Sequence, residues 1–135
     1  MEKENKRHTG NMGESVACDY LERCGYRIIE RNYYCPYGEI DIIAQDERHT
    51  AFIEVKTRAD SKAQSKYGRP ANAVNYTKRQ HMIKSVQNYL KENKAEKSPR
   101  FDVIEILYSK IEGSDFYQFK IKHTRAAFDV NGESR

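Results

Sequence analysis

The stretch Gly38–Arg58, GEIDIIAQDERHTAFIEVKTR, decides how this chain is read. Side chains alternate between faces along a strand, so Ile40, Ile42 and Ala44 share one face while Glu39 and Asp41 share the other. The alternation resumes after the polar run Asp46-Glu47-Arg48-His49-Thr50. There Ala51, Ile53 and Val55 share a face, with Glu54 and Lys56 opposite. This pattern predicts two strands, Glu39–Gln45 and Ala51–Arg58, joined as a hairpin. A slip of one residue would turn the apolar set to water, so burial fixes the register. A turn centred between Glu47 and Arg48 pairs Ile40 with Val55, Ile42 with Ile53 and Ala44 with Ala51. It also sets Asp41 across from Glu54 and Glu39 across from Lys56, where opposed Cβ atoms stand about 4.5–5.5 Å apart.

Two carboxylates that close repel each other, raise each other's pKa and weaken the sheet. A divalent cation between them removes the repulsion, and Mg²⁺ favours carboxylate oxygens and water. Such a metal can acidify a water and brace a phosphoryl oxygen, with Lys56 on the same face to orient that water or stabilise developing negative charge. Alternation alone fits equally well with a solvated charged face. Ile43 and Phe52, however, fall on that same face. Glu14 adds a third acid, at helical spacing from Ala17 and Leu21 on an apolar stripe. A first-turn acid favoured by the helix dipole would occupy the same position.

Outward from the hairpin, residues 1–10 are polar and read as a flexible N-terminus. A helix is expected from about Asn11 to Cys24, with Val16, Ala17, Tyr20, Leu21 and Cys24 on one stripe and Gly25 ending it. Tyr26–Tyr34 reads as a strand and Cys35-Pro36-Tyr37-Gly38 as a turn. A second helix is expected from about Lys78 to Lys91, with Thr77 capping it and Gln80 reaching back. Two late strands, Phe101–Tyr108 and Phe116–Lys122, precede Ala126-Ala127-Phe128, which can dock on the core. The order helix, three strands, helix, two strands predicts an α+β fold, a mixed central β-sheet flanked by helices in an α/β sandwich. One domain over 11–128 follows, with 129–135 as a flexible C-terminus.

The 135 residues suffice for a single core. With 33% charged residues and 38% hydrophobic ones, the apolar residues still gather into short dense runs. Three cysteines, Cys18, Cys24 and Cys35, form no C-x-x-C pair and fit neither a disulfide framework nor a zinc knuckle. No segment approaches the ~20 apolar residues of a membrane span. The start MEKENKRHTG lacks the apolar core of a signal peptide, so a cytoplasmic protein is expected.

The net charge of +4 permits a nucleic-acid partner without demanding one. Position says more. A long polar loop follows the proposed metal strand, and Arg58, Lys62, Lys66 and Arg69 stand ready as phosphate contacts. Lys78 and Arg79 fall in the first turn of the second helix, where the dipole disfavours cations but suits a bound anion. Together these six residues form the expected nucleic-acid track.

The blocks GES-x-A at Gly13–Ala17, GEIDIIA at Gly38–Ala44 and FIEVKTR at Phe52–Arg58 resemble the YraN-like family of small bacterial proteins. YGRPANAV at Tyr67–Val74 and the helix opening KRQ at Lys78 continue the resemblance, which covers about residues 10–128. That family is similar to the restriction-endonuclease-like superfamily with the PD-(D/E)xK signature, and to the archaeal Holliday junction resolvases. The resemblance implies a restriction-endonuclease-like core and Mg²⁺- or Mn²⁺-dependent hydrolysis of phosphodiester bonds in DNA, with structure-selective cleavage as one form of it. Asp41 matches the first acid of the signature, with Ile40 where its proline would stand, and Glu54 and Lys56 match its E-x-K. Glu14 matches the helix acid that completes the metal site in many members. By this reading the metal ligands are Asp41, Glu54 and Glu14, and Lys56 joins them as a catalytic residue.

Two rival readings carry distinct signatures. A nucleic-acid-binding module on the same scaffold without efficient catalysis explains the basic track but leaves the facing carboxylates idle. A protein-interaction domain would use Tyr33, Tyr34 and Tyr37 as surface anchors. A resolvase would need two sites and hence a homodimer, and nothing in the sequence decides between monomer and dimer.

Overall fold

The computed structural model describes residues 2–60, 75–94 and 96–129, with side chains from residue 10 onward. Two helices and five strands follow one another in the order α1 (Glu2–Arg23), β1 (Arg27–Cys35), β2 (Gly38–Gln45), β3 (His49–Ala59), α2 (Tyr76–Glu92), β4 (Ser98–Lys110) and β5 (Tyr117–Phe128). This is the expected order of elements. The strands lie side by side in the order in which the chain makes them. β1, β2 and β3 pair antiparallel, β3 pairs parallel with β4, and β4 pairs antiparallel with β5. A parallel pair cannot be closed by a tight turn, and α2 lies within the crossover that joins β3 to β4.

α1 begins at Glu2 rather than near Asn11, since the added turns are rich in Glu, Lys and Arg, which favour helix. It stops where expected. Gly25 has φ +94°, the Tyr26 N–H reaches the Leu21 carbonyl at 2.9 Å, and the Gly25 N–H reaches Glu22 at 3.0 Å. This pair of bonds with a left-handed residue satisfies the last carbonyls of the helix. Cys24 falls outside the apolar stripe assigned to it and is exposed, whereas Cys18 is buried. α2 starts two residues before the expected Lys78. Its cap is Asn75 rather than Thr77, and Asn75 Oδ1 accepts the Lys78 N–H at 2.9 Å.

The sheet separates two apolar layers. Ala17, Cys18 and Leu21 of α1 pack with Ile42, Ala44, Ala51, Ile53, Ile104 and Ile106. Met82, Ile83, Val86 and Tyr89 of α2 pack with Ile40, Ile43, Phe52, Phe101, Val103 and Phe128 on the other face. The expected docking of the C-terminal apolar residues is met in a different form. β5 runs on to Phe128, whose ring stacks on Phe101 at 4.8 Å between centroids.

One irregularity organises the site. Ile40 and Ile42 have the same parity and were expected on one face, yet Ile40 packs with α2 and Ile42 with α1. Opposite them on β1, Tyr33 pairs with Ile40 and Arg31 with Ile42. Between these partners stands Asn32 with φ +54°. Asparagine is among the few non-glycine residues that tolerate this left-handed region. The reversal therefore lies at Asn32 on β1 and, across the ladder, at Asp41 on β2.

Candidate metal and nucleic-acid site

The reversal changes the expected hairpin. The β2–β3 ladder follows the expected register from Gln45–Thr50 through Ala44–Ala51 to Ile42–Ile53, and its pairing stops there. Ile40–Val55, Asp41–Glu54 and Glu39–Lys56 are not paired, so Asp41 does not sit directly across from Glu54. Its Oδ2 instead accepts the Val55 backbone N–H at 2.8 Å, taking the place of a strand carbonyl. The acid thus stands at the point where two strands part.

Three further elements bring charge to this point. α1 carries Glu14, whose placement depends on the residue before it. A Cβ on Gly13 would overlap Thr57 Oγ1 of β3 and lie 2.9 Å from its Cβ, so only glycine lets the helix approach this closely. Glu14 Oε1 is buried without a hydrogen-bond partner. Burial pushes its pKa up, Arg31 opposes the shift, and Glu39 and Glu54 reinforce it. Asp41 is pushed up to about 8, first by burial and then by Glu54, with Glu14 and Glu39 adding and the Val55 N–H opposing. Four carboxylates from α1, β2 and β3 therefore share one electrostatic neighbourhood.

Glu54, only 3% exposed, is already balanced by lysines. Lys56 Nζ lies 3.3 Å from its Oε1, and Lys78 Nζ pairs with the same oxygen. Lys78 was assigned to the nucleic-acid track and points into the acid cluster instead. Burial pushes the Lys56 pKa down, helped by Lys78 and opposed by Glu54. Among the described residues, no three His, Cys, Asp or Glu side chains are near enough to hold a metal ion as they stand. The donor chemistry nevertheless suits Mg²⁺ or Mn²⁺. Asp41, Glu54 and Glu14 offer hard oxygens, one of them buried and unpartnered, and their mutual repulsion is what a cation relieves.

The rest of the expected track divides. Arg58 is half-buried near the end of β3, in register with Leu107. The Arg79 guanidinium lies over the Phe128 ring, 5.6 Å from its centroid, so it also packs against the core. Lys62, Lys66 and Arg69 lie outside the described residues. Of the suggested surface tyrosines, Tyr34 is 70% exposed and Tyr37 half exposed, but Tyr33 is buried with its hydroxyl 2.6 Å from Asn88 Nδ2.

Sequence reasoning missed two buried acids on β4. Glu105 is in register with Lys56, and its Oε2 is buried without a hydrogen-bond partner. Asp102 is fully buried beside Arg100 and His123. The available signal was FDVIEILY, a strand that reads as buried on both faces yet carries two acids, and buried acids require partners.

Comparison with known proteins agrees with the sequence blocks. Residues 13–106 match the family model described as "Uncharacterised protein family UPF0102". A UPF0102 protein of Thermodesulfovibrio yellowstonii is 47% identical over 103 residues, covering 76% of this chain and 88% of that protein. One from Caldanaerobacter subterraneus subsp. tengcongensis is 41% identical over 107 residues, covering 78% and 84% respectively. One from Clostridium botulinum is 37% identical over 123 residues, covering 90% and 94%. The matched segment contains Glu14, Asp41, Glu54, Lys56 and Lys78 together, and the chain belongs to the UPF0102 family.

Proposed function

We propose that this protein is a metal-dependent nuclease that hydrolyses phosphodiester bonds in DNA, on a restriction-endonuclease-like core of the PD-(D/E)xK type. The carrying observation is the convergence of Glu14, Asp41 and Glu54, from α1, β2 and β3, at the point where the β2–β3 ladder opens. A fold that needed only stability would gain nothing by gathering repelling carboxylates there. Asp41, Glu54 and Glu14 would hold Mg²⁺ or Mn²⁺, which when bound supplies an acidified water and charge neutralisation at a phosphoryl oxygen. Lys56, fixed on β3 beside Glu54, presents its ammonium to the negative charge that develops on the phosphate. Val55 holds Asp41 through the backbone, so the carboxylate is oriented without help from a mobile side chain.

The test is cleavage of single-stranded, duplex and branched DNA with Mg²⁺ or Mn²⁺, with and without chelator. Cleavage should require the metal, and Lys56→Ala should lower its rate by about 10²-fold or more while DNA affinity changes little. A Lys56→Ala variant that cuts at the wild-type rate would rule out this mechanism. The pairing of Glu54 with two lysines favours a second reading, a DNA-binding module without efficient turnover. Salt-sensitive binding with no cleavage of any substrate would select it.

A further inference from the structure

Glu54 is buried, and a buried carboxylate needs a counter-charge. Lys56 supplies one from the same strand, and in the parallel ladder it also lies in register with Glu105. Lys78 supplies a second from another element, on the same Oε1. The helix gains nothing from this arrangement. α2 has no acid in its first turn, and with Asn75 as cap Lys78 is its third residue, where a cation opposes the dipole. Its backbone N–H is bound to Asn75 Oδ1, which anchors the residue while its four-carbon stem stays adaptable. The side chain is half-buried over the acids.

We propose that Lys78 is an internal counter-ion that occupies Glu54 in the metal-free protein, is displaced when a divalent metal binds, and then serves as a phosphate contact. The proposal rests on the nuclease reading and deepens it. One carboxylate oxygen that accepts two ammonium groups has no room for a divalent ion beside both, and like charges at contact distance repel strongly in a buried site. Lys56 is carried on β3, which its ladder with β4 holds in place, so the lysine that leaves is Lys78, at the start of a helix. Its displacement frees a cation at a helix start, where backbone N–H groups also favour an anion.

The experiment titrates Mn²⁺ alone into the full chain, followed by calorimetry and water-proton relaxation, for wild type, Lys78→Met and Lys56→Met. Removing the competing cation should make Lys78→Met bind Mn²⁺ roughly tenfold more tightly, a change of about 1.4 kcal/mol. DNA affinity in the presence of metal should fall for the same variant, with the slope of log K against log salt reduced by about 0.9 on duplex DNA. In the wild type, Mg²⁺ should move the NMR signal of the Lys78 side-chain Cε towards that of solvated lysines. This readout needs no variant and stands if Lys78→Met fails to fold. Equal Mn²⁺ affinity in wild type and folded Lys78→Met, or a Lys78 Cε signal unmoved by saturating Mg²⁺, would overturn the exchange alone. Absence of Mn²⁺ binding in wild type and variants would overturn the metal-site reading, and the exchange with it.

Discussion

Asp102 on β4 receives four hydrogen bonds, from two guanidinium nitrogens of Arg100 at 2.9 and 2.8 Å, from His123 Nε2 at 2.7 Å and from the Ala126 N–H at 3.0 Å. Asp41 on β2 takes one, from Val55, and is surrounded by acids. Burial alone would raise both. At Asp102 the bonds from His123, Arg100 and Ala126 outweigh burial and hold its carboxyl below the usual range. At Asp41 burial and Glu54 prevail over one N–H, and the pKa rises to about 8. The Asp102 network continues through Tyr20, whose hydroxyl is 3.0 Å from His123 Nδ1, and Tyr26, which Arg100 also contacts. It ties α1 and Tyr26, the residue before β1, to β4 and β5. A satisfied buried acid of this kind is structural, and an unsatisfied one beside like charges marks a candidate functional site.

Removing Asp102 tests the structural half and should have the largest effect. Asp102→Ala leaves Arg100 buried without its carboxylate, which typically costs about 3–5 kcal/mol. Urea unfolding should show that loss, and a variant as stable as wild type would mean the network contributes nothing. Asp41→Asn tests the other half and should act in the opposite direction. Its native pKa of about 8 lies above the 3.8 of the free carboxyl, so the folded state binds the extra proton between those values. Stability from this group is therefore greatest at low pH and is lost as pH rises through that window. Asparagine keeps an acceptor for Val55 and carries no charge. In chelator, the stability advantage of Asp41→Asn over wild type should widen from pH 5 to pH 8, and parallel curves would refute the pKa assignment. Asn75→Ala should have the smallest effect, about 1 kcal/mol as for other helix caps. It also loosens the anchor of the Lys78–Glu54 pair, so its loss of stability should shrink when combined with Lys78→Met, which has no such pair to weaken. Strict additivity would separate the cap from the acid cluster.

Much of this is legible in the amino-acid sequence. The alternation in GEIDIIAQ and TAFIEVKTR gave both strands, their turn and the first pairs of their register, because burial penalises any slip. Gly25 announced the end of α1, because only glycine enters the left-handed region without strain. What stayed hidden depended on contacts between distant residues. Nothing in the period of RIIERNYYC shows that Asn32 turns left-handed, and that turn sends Ile40 to the opposite face from Ile42. The same turn converts an opposed Asp41–Glu54 pair into a carboxylate bonded to a strand N–H. Lys78 read as a phosphate contact because its partner Glu54 lies 24 positions earlier in the chain. The acids were identifiable by type and spacing, but their counter-ions were not.

The reversal at Asn32 and Asp41 has a mechanical meaning. A regular sheet is a partition, and a side chain on it belongs to one layer only. Here the partition has a hinge point, so Glu14 from the α1 side and Glu54 from the α2 side can act on one carboxylate between them. The cluster thereby becomes a joint between two half-cores, and its geometry holds only while both are seated. Loosening either layer, whether at the Gly13–Thr57 contact or beneath α2, would open the acids without unfolding the sheet.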